Sequence, residues 1–337
     1  MKKIQIGLLG MGRIGKIHFQ NIQQYFSNVA TVVAVADPLI DVPAIQKQFS
    51  SIFFTNDSKE VVLSKDVEAV LICTPTSSHA ELLELAIQSG KSVFCEKPMD
   101  LSLDRTKALA ELAKSTNTKL MMGFNRRFDP DFLHARESVK KGTIGDVQIV
   151  KITSRDPGLP PVDYIKNSGG LFMDMAIHDF DMACYIMNKK VAEVFAKGAV
   201  RIDKAVGDAG DIDTALTTLT FEDGTYAVID NSRKAVYGYD QRIEIFGNDG
   251  MIQVDNNQHN RNVLYNQSGI HYALPLDFFM DRYAKSYLNE MDFFISALNN
   301  NTDMPVGGDD ALQATKIAVA AKKSMLEGRP VKLSEIG

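Results

Sequence analysis

The sequence predicts an α/β protein: an N-terminal doubly wound parallel sheet, then a C-terminal α+β domain with a large, mostly antiparallel open sheet. Three observations carry this expectation. Short apolar runs alternate with helical patterns from Ile4 to Met122, as in successive βαβ units. A G-x-G-x-x-G, Gly10-Met11-Gly12-Arg13-Ile14-Gly15, stands between the first strand and the first helix. From Asp146 onward, runs of alternating apolar and polar residues are separated by turns such as Glu222-Asp223-Gly224 and Asn248-Asp249-Gly250, which is hairpin spacing.

The glycine motif makes the first half a dinucleotide-binding Rossmann domain, expected over residues 1–124. Its glycines allow a tight turn, close backbone approach to a pyrophosphate and close helix–strand packing. The helix that follows, Lys16 to Tyr25, turns a partly positive N-terminus toward the phosphates. The second strand, Thr31 to Ala36, ends at Asp37, roughly 20 residues beyond the motif, where a carboxylate binds ribose hydroxyls and disfavours a 2′-phosphate. NAD is therefore expected rather than NADP.

Further strands are expected at Ala69 to Cys73, Ser92 to Cys95 and Lys119 to Met122, with helices from His79 to Ser89 and from Leu103 to Ser115, the latter capped by Ser102. Ligands in such sheets bind beyond the carboxyl ends of the strands. Thr74, Pro75, His79, Glu96 and Lys97 join Gly10, Gly12, Arg13, Ile14, Gly15 and Asp37 as expected cofactor neighbours. Lys97, in Glu96-Lys97-Pro98, reads either as a solvated strand-end charge or as an ammonium beside the nicotinamide. Arg126 and Arg127 read either as contacts to a hydroxylated substrate or as a domain-bridging ion pair.

Residues 125–337 are expected to bind substrate and support oligomerisation, with the last helices free to pack back on the first domain. A helix from Pro130 to Lys141 precedes strands at Asp146 to Ser154, Ala192 to Val200, Asp213 to Phe221, Thr225 to Asn231, Gln241 to Phe246 and Met251 to Asp255. Helices from Arg282 to Asn299 and Asp309 to Glu327 close the chain.

Within this half, Gly169-Gly170 leads into a run to Met187 that reads as one mostly apolar helix. Asp174 and His178, four residues apart, would project from one face of it. An acid and an imidazole on a buried helix must be partnered. They read either as a structural pair or as a proton-transfer pair.

Composition narrows the partners. The 337 residues carry a net charge of −5 and no basic block, which argues against a nucleic-acid or anionic-membrane surface. Three cysteines without C-x-x-C spacing suggest neither a disulfide framework nor a zinc site, and no metal is expected. No run approaches the roughly 20 apolar residues that span a bilayer. A cytoplasmic protein acting on a small molecule is expected.

Taken together, Gly10–Gly15, Glu96-Lys97-Pro98, Gly123 to Asp129 and Gly169-Gly170 with Asp174 and His178-Asp179 resemble the family of glucose–fructose oxidoreductases and inositol dehydrogenases. The stretches Ser154 to Pro157, Asp174 to Met182 and Ala235 to Arg242 are most similar to its bacterial inositol 2-dehydrogenases. The resemblance implies catalytic roles for Lys97, Asp174 and His178, and substrate contacts from these three together with Arg127, Asp156 and Tyr237. It implies NAD-dependent oxidation of a cyclic polyol, foremost myo-inositol to 2-keto-myo-inositol (scyllo-inosose), in a homotetramer. Oxidation of scyllo-inositol or a pyranose sugar, or an NAD(H)-binding sensor without turnover, are the alternatives. Cys184 stands where such enzymes commonly carry Arg, and the prolines around Leu159 are arranged differently.

Overall fold

The computed structural model describes residues 2–337. Its chain forms two compact units, one running to Phe128 and including Ser286–Thr315, the other formed by Asp129–Lys285 and Lys316–Gly337.

In the first unit the chain alternates as expected and adds elements that no motif had marked. Its order is β1 (Ile4–Leu9), α1 (Arg13–Tyr25), β2 (Ala30–Ala36), α2 (Val42–Gln48), β3 (Phe53–Thr55), α3 (Ser58–Leu63), β4 (Ala69–Ile72), α4 (His79–Gln88), β5 (Ser92–Glu96), α5 (Leu103–Ser115) and β6 (Leu120–Gly123). The strands pair in parallel, in the order β3-β2-β1-β4-β5-β6. Strand order reverses between β1 and β4, the switch point outside which ligands bind in open α/β sheets. Leu8, Leu9, Leu71, Ile72 and Phe94 are wholly buried, since helices cover both faces of a parallel sheet.

The helix starts follow local chemistry. Asp41 caps α2 by accepting from Ala44 N at 3.1 Å, with Pro43 in the first turn, and Ser102 caps α5 through Arg105 N at 3.4 Å. Asn125–Phe128, assigned by sequence to the second domain, instead forms a 3-10 turn within the first unit. The carbonyl of Asn125 accepts from Ser286 Oγ, that of Phe128 from Asn289 Nδ2 at 2.9 Å. These bonds tie the turn to the returning segment.

In the second unit Asp129 opens α6 (Pro130–Lys140), accepting from Asp131 N and Phe132 N at 3.1 and 3.3 Å. Then come β7 (Val147–Arg155), α7 (Val162–Asn167), α8 (Leu171–Asp174), α9 (Ile177–Met187), β8 (Val191–Ala199), α10 (Lys204–Asp208), β9 (Thr214–Phe221), β10 (Tyr226–Ser232), β11 (Asp240–Gly247), β12 (Met251–Val254), β13 (Val263–Asn266), β14 (Gly269–Tyr272) and α11 (Phe279–Arg282). Helices α12 (Ala284–Asn300) and α13 (Gly308–Glu327) precede β15 (Val331–Lys332). The large sheet has the order β12-β11-β7-β10-β9-β8-β15. Its neighbours are antiparallel except β7 and β10, which run parallel from Ile149↔Tyr226 to Arg155↔Ser232.

Alternation sets which face is covered. Ala215, Thr217, Leu219 and Phe221 of β9, with Ala227, Ile229 and Asn231 of β10, are buried, while Leu216 and Tyr226 are exposed. Helix α9 packs against β7.

Candidate active site

The turn after β1 leaves no room for side chains at two of its glycines. Gly10 has φ +92°, and a Cβ there would lie 2.6 Å from the Cys73 carbonyl oxygen; a Cβ on Gly15 would lie 1.9 Å from the Gly10 carbonyl oxygen. Gly12 differs. A Cβ on it would meet nothing within 4 Å, and Gly12 is the N-cap of α1, so no side chain occupies that helix end. Arg13 and Ile14 open the helix, which starts inside the motif and not at Lys16. An exposed backbone at a helix N-terminus fits a pyrophosphate.

Asp37 closes the same surface. Its Oδ2 accepts from Met11 N in the glycine turn at 2.7 Å and its Oδ1 from Leu39 N at 2.8 Å. Each oxygen keeps lone-pair capacity for a ribose hydroxyl. Thr74, whose Oγ1 accepts from Ser78 Oγ at 2.7 Å, and Pro75 follow β4 beside Gly10. The residues present therefore fit a dinucleotide.

His79, expected beside the cofactor, is buried and turned to the scaffold. Its Nδ1 lies 2.8 Å from the Pro98 carbonyl and its Nε2 2.8 Å from that of Thr74, so it ties the ends of β4 and β5 together. Glu96 likewise points inward, Oε1 lying 3.5 Å from His18 Nε2. Lys97, half-buried, follows directly. Arg127 donates from Nη2 to Asp310 Oδ1 at 2.8 Å; this ion pair lies inside the first unit and is not domain-bridging.

The second unit corrects the reading of Asp174 and His178. They do not stand on one continuous helix: α8 ends at Asp174 and α9 starts at Ile177. Gly169 and Gly170 have φ +86° and +85°, and Asp211 Oδ1 occupies the space beside Gly170, accepting from Leu171 N at 3.0 Å. The interruption at Met175–Ala176, both in right-handed helical conformation, divides the run into two short helices, with Asp174 closing the first and His178 in the first turn of the second.

Asp174 is held by residues the sequence reading did not select. Tyr164 donates its hydroxyl to Oδ1 at 2.7 Å, and Arg233 Nη1 donates to Oδ2 at 3.1 Å. Arg233 is itself buried and lies 3.6 Å from Asp211. A guanidinium and a phenol thus fix both oxygens of the carboxylate. Next to His178, the buried Asp179 accepts from Asn231 Nδ2 at 2.8 Å, which anchors the first turn of α9.

Tyr237 belongs to a second polar group. Its hydroxyl accepts from Arg155 Nη1 at 3.0 Å and donates to Asp240 Oδ2 at 2.6 Å. Burial, then the bond to Asp240, raises the Tyr237 phenol above its ordinary range against the opposing effect of Arg155. Burial pushes the Asp240 carboxyl up, but hydrogen bonds from Arg242, Tyr237 and Asn256 outweigh it and hold the group below the usual range. Asp156 follows Arg155; its N–H donates to the Ser232 carbonyl at 2.8 Å and its carbonyl accepts from Ala235 N at 2.6 Å, fixing it beside the end of β10.

Two of the missed residues carried a signal in the sequence. Arg233 continues the period-two buried register of Ala227, Ile229 and Asn231, where a charged residue needs a partner. Arg155 lies inside a stretch already marked. Tyr164 had no signal, because α7 is too short for periodicity to stand out.

Two family models match the chain: an oxidoreductase family with an NAD-binding Rossmann fold over residues 4–124, and the GFO/IDH/MocA C-terminal domain over residues 132–253. The chain is 44% identical over 334 residues to a myo-inositol 2-dehydrogenase of Thermotoga maritima, covering 99% of each. It is also 44% identical to an inositol 2-dehydrogenase of Rhizobium meliloti, covering 98% of this chain and 99% of that one. A crystal structure of scyllo-inositol dehydrogenase from Lactobacillus casei, with bound NAD(H) and scyllo-inositol, superposes with a TM-score of 0.91 at 31% identity, covering 99% of this chain and 100% of the other.

Proposed function

Because the chain belongs to the GFO/IDH/MocA family and is an NAD-dependent dehydrogenase of its inositol dehydrogenase branch, we propose that it oxidises myo-inositol to 2-keto-myo-inositol. The observation that carries this reading is the 44% identity, across the whole chain, to enzymes named for myo-inositol and inositol. The polar group of Arg155, Tyr237 and Asp240, with Asp156 beside it, is chemistry suited to a ring bearing many hydroxyls.

NAD, when bound, supplies a hydride acceptor at nicotinamide C4. The remaining work falls to the chain. In the proposed reaction His178 takes the proton of the secondary alcohol as general base. Asp174, fixed by Tyr164 and Arg233, supplies the negative charge that stabilises the imidazolium. Lys97 donates a hydrogen bond to the alcohol oxygen and stabilises developing alkoxide charge. Gly10, Gly12, Arg13, Ile14, Gly15, Asp37, Thr74 and Pro75 hold the dinucleotide, and Arg127, Asp156 and Tyr237 bind substrate hydroxyls.

A scyllo-inositol reading is favoured by the 31% identical structure that holds that isomer. An epimer leaves a buried polar group unpaired, so one of the two isomers should dominate. We also propose a cytoplasmic homo-oligomer, a tetramer by resemblance. Among the described residues no helix is long and apolar enough to cross a membrane, and the open sheet exposes Leu216, Tyr226, Phe246 and Met251.

The test is NADH formation with NAD or NADP and a panel of myo-, scyllo- and chiro-inositol, glucose and xylose. Turnover of myo-inositol with NAD, at a specificity constant about tenfold or more above the other polyols, is the expected outcome. Preference for scyllo-inositol or a sugar overturns the substrate, and NADH binding without turnover of any polyol removes support for this substrate class.

A further inference from the structure

One residue before Lys97, Glu96 places its carboxylate in a buried cluster. His18, Glu96 and Glu290 bring one ligand atom each within 4.8 Å of one another. His18 and Glu290 are wholly buried, and the His18 ring stands edge-on to Phe94 and Tyr287, with centroids 5.1 and 5.9 Å away. Gly123, in register with Glu96, makes room for it: a Cβ there would lie 2.9 Å from Glu96 Oε2.

Neither oxygen of Glu290 has a hydrogen-bond partner among the described residues. Two carboxylates this close and this far from water repel, and a proton on one of them removes the repulsion. Burial, reinforced by Glu96, pushes the Glu290 carboxyl well above the usual glutamate range. The titratable groups around it are His18 from α1, Glu96 from β5, Cys73 after β4 and Tyr287 one turn earlier on α12, with Cys95 next to Glu96. Burial, then Glu96, raises both thiols, so they stay neutral.

We infer that Glu290 is a positioning residue: it keeps its proton at neutral pH, leaves the negative charge of the pair on Glu96, and so anchors the strand end that carries Lys97. A second charge on Glu290 would drive the Glu96 carboxylate out of the cluster. From the other side His79 holds the Pro98 carbonyl, so buried side chains grip the segment both before and after Lys97. The effect on Lys97 rests on the role proposed for that residue above; the proton on Glu290 does not.

The sign follows from linkage. The folded chain holds a proton that the unfolded chain gives up near the ordinary glutamate pKa of about 4.3, so the stability it represents is present at low pH and lost as pH rises. Unfolding the wild type in guanidinium at pH 7, in weakly buffered indicator solution, should release about one proton per chain more than unfolding E290Q. Equal release overturns the inference, as does a stoichiometric divalent metal surviving dialysis of the purified protein, which would make the cluster a cation site. Should E290Q not fold, the wild-type infrared spectrum decides: a protonated-carboxyl carbonyl band that persists from pH 6 to pH 9 is expected, and its absence overturns the proton. On the kinetic side, E96Q, which removes the charge that anchors the strand end, should lose about tenfold or more in kcat with little change in KM, whereas E290Q, uncharged like the protonated acid, should stay within about twofold of wild type. Equal kcat for E96Q and wild type overturns the positioning role while leaving the proton count intact.

Discussion

In the first unit the turn after β1 offers a ligand the backbone, and what shapes it is one short stretch, Gly10–Gly15, with Asp37 at the end of β2 and the backbone of Cys73 and Thr74 after β4 closing on it. In the second unit the surface around Asp174 is made of side chains drawn from distant segments: Tyr164 from α7, Asp211 from the loop before β9 and Arg233 from the end of β10. A backbone site is specified by which side chains are absent from it, so a few glycine positions in one stretch carry its signal. A side-chain site is specified by who reaches it, and those residues come from wherever the fold brings them.

The largest expected effect tests whether the two kinds of surface serve one reaction. His178→Ala and Lys97→Met should each lower kcat by about 100-fold or more, while NADH titration by fluorescence shows binding within a few-fold of wild type. Near-normal turnover in either variant removes that residue from the chemistry. Loss of NADH binding in Lys97→Met would move the lysine from catalysis to cofactor binding.

A finer experiment separates glycines that the protein itself requires from the one that the ligand requires. Gly15→Ala sets a methyl group against the Gly10 carbonyl oxygen at 1.9 Å; overpacking of this kind costs about 1–3 kcal/mol, and thermal unfolding should show it. Gly12→Ala meets no atom of the protein within 4 Å. It should leave the melting temperature nearly unchanged and weaken NAD binding about tenfold, as expected of a surface that a pyrophosphate must approach. Equal affinity for NAD in Gly12→Ala and wild type would break the assignment of that face.

The smallest effect sharpens the side-chain surface. Tyr164→Phe removes one hydrogen bond to Asp174 and leaves the contact with Arg233; a net bond of about 0.5–1.5 kcal/mol corresponds to a loss of roughly two- to tenfold in kcat/KM. No loss would show that Arg233 alone fixes the carboxylate. A loss comparable to that of His178→Ala would give Tyr164 a direct part in proton transfer.

What the sequence determined by itself was whatever depends on short range. The strand–glycine turn–helix unit, Asp37 at the end of β2, the alternation that builds a parallel sheet, and the period-two strands of the second unit follow from neighbouring residues, because backbone sterics and face-by-face burial act over a few positions. The position of Lys97 at a strand end was legible for the same reason. The elements between Val42 and Leu63 went unread, although Asp41 and Pro43 carry a helix-start signal, since each piece is too short for periodicity to stand out. Only the tertiary structure decided that the apolar run from Leu171 to Met187 breaks in two, that Arg233 and Tyr164 hold Asp174, that Asn125–Phe128 stays with the first unit, and that Glu290, on the buried stripe of α12, meets Glu96 and His18. Each of these depends on partners far away in the chain. A buried charge declares only that a partner must exist, and folding alone determines which residue that partner is.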